Sequence, residues 1–167
     1  MFSIYTGEGR GKTTASLGLL VRAKGAGLNC YLVKFLKKQK SSEDKILSKI
    51  KITHKEFGSN KFIINKPSKK DKEETLKAIK QIYTIINTKN VNLLVLDEIN
   101  LVIYYNLITI KEAINIVKEC KNKNIELVFT GRYANKELIK IADLVSEIKE
   151  IKHYYNQGIK ARKGFEY

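Results

Sequence analysis

Tryptophan is absent from this chain of 167 residues, proline occurs once, at Pro67, and cysteine twice. Cys30 and Cys120 stand far apart and form no C-x-x-C pattern. That spacing argues against a thiolate metal cluster or a redox pair and leaves two reduced, buried thiols as the expectation. No apolar run approaches the length needed to span a bilayer, and the N-terminus enters an apolar strand pattern without signal-peptide architecture, so a soluble, cytoplasmic protein is expected. Repeats, low-complexity tracts and linkers are lacking too. Residues 1–167 therefore read as a single domain, large enough to bury a core without staples. Acidic residues are few: 17 against 32 lysines and arginines, for a net charge of +15. The excess sits in residues 1–90, which carry 20 basic and 7 acidic residues, but it is diffuse lysine among asparagine and isoleucine. A solvated surface explains most of it, although Lys34, Lys37, Lys38 and Lys40 and Lys66, Lys69, Lys70 and Lys72 can draw in a polyanion.

What the chain does contain is a glycine-rich turn between a strand pattern and a helix pattern. Gly7-Glu8-Gly9-Arg10-Gly11-Lys12-Thr13-Thr14 follows the apolar residues 2–5 and leads into residues 15–23, which permit a helix. Alternating glycines let backbone N–H groups converge on phosphate oxygens, and the following helix turns its N-terminus to the same anion. Lys12 adds a point charge on a triphosphate, and the hydroxyl of Thr13 or Thr14 completes a Mg²⁺ shell. The strict G-x-x-x-x-G-K-[ST] pattern wants glycine where Thr6 stands. Downstream, Leu93-Leu94-Val95-Leu96-Asp97-Glu98 is an apolar strand ending in two carboxylates, the pattern that brings Asp97 or Glu98 to a phosphate-bound metal if this strand lies beside the first. Thr130-Gly131-Arg132 closes a further strand and delivers Arg132 to the same sheet edge. A guanine-reading Asn-Lys-x-Asp is missing, which favours ATP. His54 and His153 lack a partner pattern for metal or nucleophilic chemistry.

Apolar runs at residues 2–5, 28–35, 93–96 and 125–129 have the length of buried strands. Helical periodicity lies between them. Ser68 with Asp71, and Thr109 with Glu112, read as capping boxes, and Asn135 starts a third helix. Strands alternating with helices imply an α/β fold with a parallel sheet covered on both faces. Residues 145–151 alternate as an edge strand does. The least regular segment, 37–69, is strongly basic and reads as a lid or second-substrate wall.

Taken in order, Thr6 to Thr14, Arg22-Ala23-Lys24-Gly25-Ala26-Gly27, Leu96-Asp97-Glu98, Thr130-Gly131-Arg132, Ala142-Asp143-Leu144-Val145-Ser146-Glu147 and Lys152-His153 with residues 158–167 resemble the P-loop ATP:corrinoid adenosyltransferases. That family has Thr-Gly-x-Gly-Lys-Gly-Lys-Thr-Thr, so the resemblance accounts for Thr6. It implies a RecA-like P-loop fold and transfer of the 5′-deoxyadenosyl group of ATP to the Co(I) of a reduced corrinoid, with release of triphosphate. It further implies Mg²⁺ or Mn²⁺, a homodimer, and an electron donor such as a flavoprotein. Carried onto this chain, Gly7, Glu8, Gly9, Arg10, Gly11, Lys12, Thr13, Thr14 and Arg22 bind ATP. Lys12, Glu98 and Arg132 serve catalysis, and Thr13, Asp97 and Glu98 hold the metal. Phe62 and Ile64 face the corrinoid, with Ile64 standing where the family commonly has tryptophan. Lys34 and Lys38 also depart from the family's glutamine and glycine, and the N-terminal extension of many relatives is not present before the first strand. The alternative reading is a P-loop ATPase acting on nucleic acid, which the diffuse charge and the lack of an interleaved basic and aromatic patch set aside.

Overall fold

A computed structural model describes residues 1–37, 41–59, 63, 66–88 and 90–165. Six strands, β1 (Phe2–Thr6), β2 (Cys30–Lys34), β3 (Thr53–Glu56), β4 (Leu93–Asp97), β5 (Glu126–Thr130) and β6 (Leu144–Glu147), form one sheet in the order β3-β2-β4-β5-β1-β6. Every pairing is parallel. The helices are α1 (Lys12–Gly25), α2 (Ser42–Lys49), α3 (Lys69–Thr88), α4 (Ile99–Tyr104), α5 (Ile110–Asn122) and α6 (Lys136–Ile141), followed by a 3₁₀ turn at Tyr154–Gln157.

Alternation along the strands divides the core in two. Leu93, Val95, Leu32 and Val128 point to the face covered by Leu20 and Ala23 of α1 and Leu47 of α2. Leu94, Leu96, Val33, Ile4 and Phe129 point to the other, where α3, α4 and α5 bury Ile82, Val102 and Ile116. A sheet buried on both faces requires strands that are apolar at successive positions, which is why β4 reads as an unbroken run. The expected edge strand is β6, whose residues are all exposed.

Three expectations need correction. The β4 strand does not lie beside β1, because β5 is inserted between them. Right-handed crossovers restrict the handedness of each connection but not which sheet position a strand takes. The segment 37–69 contains both α2 and β3, which short, mostly polar sequences concealed. Its helix opens with a capping box, the Asp44 carboxylate accepting from the Ser41 N–H at 2.7 Å. Finally, only half of the Thr109 and Glu112 box is made: Thr109 Oγ1 accepts from the Glu112 N–H, while the Glu112 carboxylate accepts from the Tyr83 hydroxyl at 2.9 Å. The Ser68 and Asp71 box is reciprocal, and Asn135 caps α6 through the Glu137 N–H. Cys30 and Cys120 are buried and free.

Candidate active site

All six strands run the same way, so the segments that follow them emerge at one edge of the sheet. The glycine loop leaves β1 there, Asp97 and Glu98 end β4, Thr130 to Arg132 end β5, and Lys37 follows β2. Gly11 is the residue before α1, with φ 119° and no side chain, so the first N–H groups of the helix face the loop without a protein cap. Gly7 and Gly9 have a different cause for being glycine. A Cβ on Gly7 meets the Ile148 carbonyl oxygen at 2.4 Å and one on Gly9 meets the Lys149 backbone at 2.7 Å. The Gly9 N–H donates to the Ile148 carbonyl at 2.8 Å, and the Ile148 N–H to Thr6 at 2.8 Å. The loop is thus held in shape by the chain leaving β6, a contact between residues more than a hundred positions apart that local pattern does not announce.

Asp97 is fully buried and well connected. Its Oδ1 accepts from Thr13 Oγ1 at 2.9 Å and from Thr130 Oγ1 at 2.6 Å. Its Oδ2 accepts from the Lys37 ammonium at 3.3 Å. The expected link between the first turn of α1 and the end of β4 therefore forms although β5 separates β4 from β1. Thr13 supplies it; Thr14 is exposed on the helix. Glu98 holds a left-handed backbone, φ 65°, at the start of α4, and its N–H donates to Thr130 Oγ1 at 3.0 Å. Its Oε2 is buried without a hydrogen-bond partner, as is Asn100 Oδ1. Both lie behind Gly131, where a Cβ comes within 3.1 Å of Glu98 Oε2.

Charge in this pocket is finely opposed. Burial, then the Asp97 carboxylate, pushes the Glu98 carboxyl above the usual range, against Lys37, Lys12 and Arg132. Burial lowers the Lys12 ammonium, with Arg132 adding to it and Glu98, Glu8 and Asp97 opposing. For Lys37 burial works downward, but Asp97 and Glu98 outweigh it and the ammonium is held above its ordinary value. Lys12 donates to the Gly9 carbonyl at 2.6 Å, and Arg132 pairs with Glu8 at 3.1 Å. Hydroxyl and carboxylate oxygens at Thr13, Asp97 and Glu98 suit a hard divalent ion that keeps several waters and phosphate oxygens. The buried Glu98 Oε2, left without a hydrogen-bond partner, is the observation that such a ligand set fits.

Lys12, Thr13, Asp97, Glu98, Glu8 and Arg132 are thus brought together. Arg10 and Arg22 are not. Arg10 turns outward, donating to Tyr154 Oη at 2.5 Å and to the Phe165 carbonyl. Arg22 lies in the last turn of α1, about 15 Å along the axis from Lys12 at the rise of an α-helix. Phe62 and Ile64 lie outside the described residues. Sequence reasoning missed the contributions of Thr130, Lys37 and Asn100. Thr130 and Lys37 stood inside motifs whose other members drew the assignment, whereas the signal for Asn100 was one amide inside the apolar run of α4.

A family model described as ATP:corrinoid adenosyltransferase BtuR/CobO/CobP matches residues 1–167. A corrinoid adenosyltransferase of Sinorhizobium sp is 31% identical across 98% of this chain and 78% of the relative. The corrinoid adenosyltransferase CobA of Salmonella typhimurium is 26% identical across 98% of this chain and 84% of its own length. The Escherichia coli K12 relative, a corrinoid adenosyltransferase, is 24% identical over the same shares.

Proposed function

The chain belongs to the ATP:corrinoid adenosyltransferase family, and we propose that its glycine loop grips the triphosphate of ATP while the 5′-deoxyadenosyl group passes to the cobalt of a reduced corrinoid. Adenosyl transfer to a corrinoid is the activity of this transferase. Co(I) contributes the electron pair of the new Co–C5′ bond. The bond between C5′ and the α-phosphate oxygen breaks, and triphosphate departs with its electrons.

The nucleophile is the substrate itself, so the protein's work is positioning, charge neutralisation and exclusion of water. The observation that carries the assignment of roles is the buried Asp97, tied to Thr13 at the start of α1 and paired with Lys37, beside a Glu98 whose charge Lys37, Lys12 and Arg132 oppose. Lys12 and Arg132 stabilise the departing triphosphate. The backbone N–H groups at the start of α1 bind its oxygens. Thr13 and Asp97, with Glu98 beside them, would hold Mg²⁺ or Mn²⁺, which would supply positive charge against the leaving group. Arg10 joins the triphosphate once it is released from Tyr154. Phe62 and Ile64 belong to the corrinoid wall by resemblance. The same reading takes residues 1–167 as one catalytic domain acting as a homodimer in the cytoplasm, with Co(I) supplied by an electron donor such as a flavoprotein. No helix among the described residues is long and apolar enough to cross a membrane.

An anaerobic assay with ATP and a chemically reduced corrinoid tests the reading. Inorganic triphosphate and a light-sensitive alkylcobalt product are expected in equal amounts. ADP and phosphate as the products overturn it.

A further inference from the structure

Asn100 is fully buried in the first turn of α4, a single amide among the buried Ile99, Val102 and Ile103. Its Nδ2 donates to the Gly131 carbonyl at 3.0 Å, while its Oδ1 is buried without a hydrogen-bond partner. An unmet buried acceptor costs at least as much as one neutral hydrogen bond returns. An apolar side chain would avoid that loss and leave the Gly131 carbonyl unpaired instead, so the choice of an amide is close to neutral for stability. Its particular consequence is geometric: it fixes the direction of one carbonyl at the end of β5.

That carbonyl belongs to a turn held from two sides. The Gly131 N–H donates to the Tyr5 carbonyl of β1 at 3.2 Å, and its carbonyl accepts from Asn100. Gly131 has φ 122°, and a Cβ there would meet Asn100 Cβ at 3.2 Å and Glu98 Cα at 3.3 Å, so glycine lets the turn seat directly on the start of α4. Arg132 follows, pairing with Glu8 of the glycine loop at 3.1 Å. Its side chain is 48% exposed, so its aim depends on the backbone beneath it more than on packing. A peptide unit is planar, and the direction of the Gly131 carbonyl therefore fixes the plane that carries the nitrogen and Cα of Arg132. The guanidinium extends from that Cα.

We propose that Asn100 is a positioning residue for adenosyl transfer: its amide fixes the Gly131–Arg132 peptide on α4 and thereby aims the Arg132 guanidinium at the departing triphosphate. The inference rests on the reading of Arg132 as a stabiliser of that leaving group. A displacement of about 1 Å in such a group is enough to slow a reaction by about a hundredfold. Asn100 touches neither nucleotide nor metal in this scheme; it acts through the turn. The leaving group gains charge as the bond to C5′ breaks, so the loss of Asn100 falls on kcat more than on ATP affinity.

The test is steady-state kinetics of the full chain under anaerobic conditions, with ATP and a chemically reduced corrinoid, reading inorganic triphosphate. Asn100→Leu fills the volume without the donor, and Asn100→Ala removes the donor without adding bulk. Each is expected to lower kcat about tenfold and to change the KM for ATP by less than about threefold. Arg132→Met should lower kcat at least as far, and Asn100→Leu should cost nothing further in that background, because the amide acts only through the arginine. Wild-type kcat in a folded Asn100 variant overturns the inference, as do losses that multiply in the double variant. A kcat that falls only in proportion to the folded fraction in urea melts overturns it too, since the residue is then structural alone. Wild-type kcat in Arg132→Met, from a protein that does make triphosphate, refutes the positioning role and leaves adenosyl transfer standing. ADP and phosphate from the wild-type protein refute the functional reading itself.

Discussion

Lys37 shows how much a single residue can decide at the active edge. Its ammonium neutralises the buried Asp97 at 3.3 Å, and its backbone N–H donates to the Phe57 carbonyl at 3.3 Å, so it touches both the carboxylate and the wall. A cation on Asp97 competes with a divalent ion for the same oxygen. Lys37→Met is expected to tighten Mn²⁺ binding in the absence of nucleotide about fivefold, the equivalent of about 1 kcal/mol. It is expected to weaken ATP binding by a similar factor, both read by Mn²⁺ paramagnetic resonance and calorimetry. Gly9 is a residue whose identity is steric. Gly9→Ala drives a Cβ to within 2.7 Å of the Lys149 backbone, and backbone cannot yield as a flexible side chain does. About 1–3 kcal/mol of stability should be lost in chemical denaturation, together with most of the ATP affinity. The Gly-Lys-Thr-Thr chemistry was legible locally, but the reason for Gly9 was not, since its partner is supplied by the far end of the chain.

Among the elements, α2 and β3 are pinned to the sheet by charge as well as by the buried Leu47. Lys34, at the end of β2, is buried and donates to Asp44 at 2.5 Å, Glu43 at 3.1 Å and Ser41 at 2.6 Å, with Glu56 of β3 at 3.6 Å. Burial, a hydrogen bond with Asp44 and the Asp44 charge push the Glu56 carboxyl up to about 7, against Lys34. Asp44 is held at about 2, where bonds from Lys34, Glu56 and the Ser41 N–H overcome its burial. One proton is thus retained between the two carboxyls. Because the folded value of Glu56 lies above its ordinary 4.5, the stability it contributes is fully present below that pH and lost as pH rises through about 7. Wild-type stability should therefore decline between about pH 5 and pH 8. Glu56→Gln, which keeps a neutral hydrogen-bonding group, should flatten that slope in urea melts. Neither element was foreseen, because a helix and strand held by buried ion pairs carry little of the apolar periodicity by which such elements are read.

For the molecule as a whole, the charge of +15 matters less than where the cations converge. Lys12, Lys37 and Arg132 face the carboxylates at the strand ends, whereas most lysines are spread over helix surfaces. A diffuse basic surface binds polynucleotides through counterion release alone. Adding single-stranded DNA should leave the rate of triphosphate formation unchanged, and any binding detected at low salt should vanish by about 0.2 M. Polynucleotide-stimulated release of phosphate is the contrary result and returns the nucleic-acid reading.

The chain's sequence by itself determined the α/β class, the phosphate loop, the paired carboxylates and the turn at Arg132, because each is written in a short window where backbone freedom, apolar runs and side-chain chemistry act locally. Tertiary structure alone decided that β5 separates β4 from β1, that Ile148 and Lys149 mould the glycine loop, and that Lys37 meets Asp97. It also set Tyr104 against Tyr133 across two strand ends. Those outcomes depend on which segments the parallel sheet brings to one edge, and local sequence constrains strand order far less than it constrains the strands themselves.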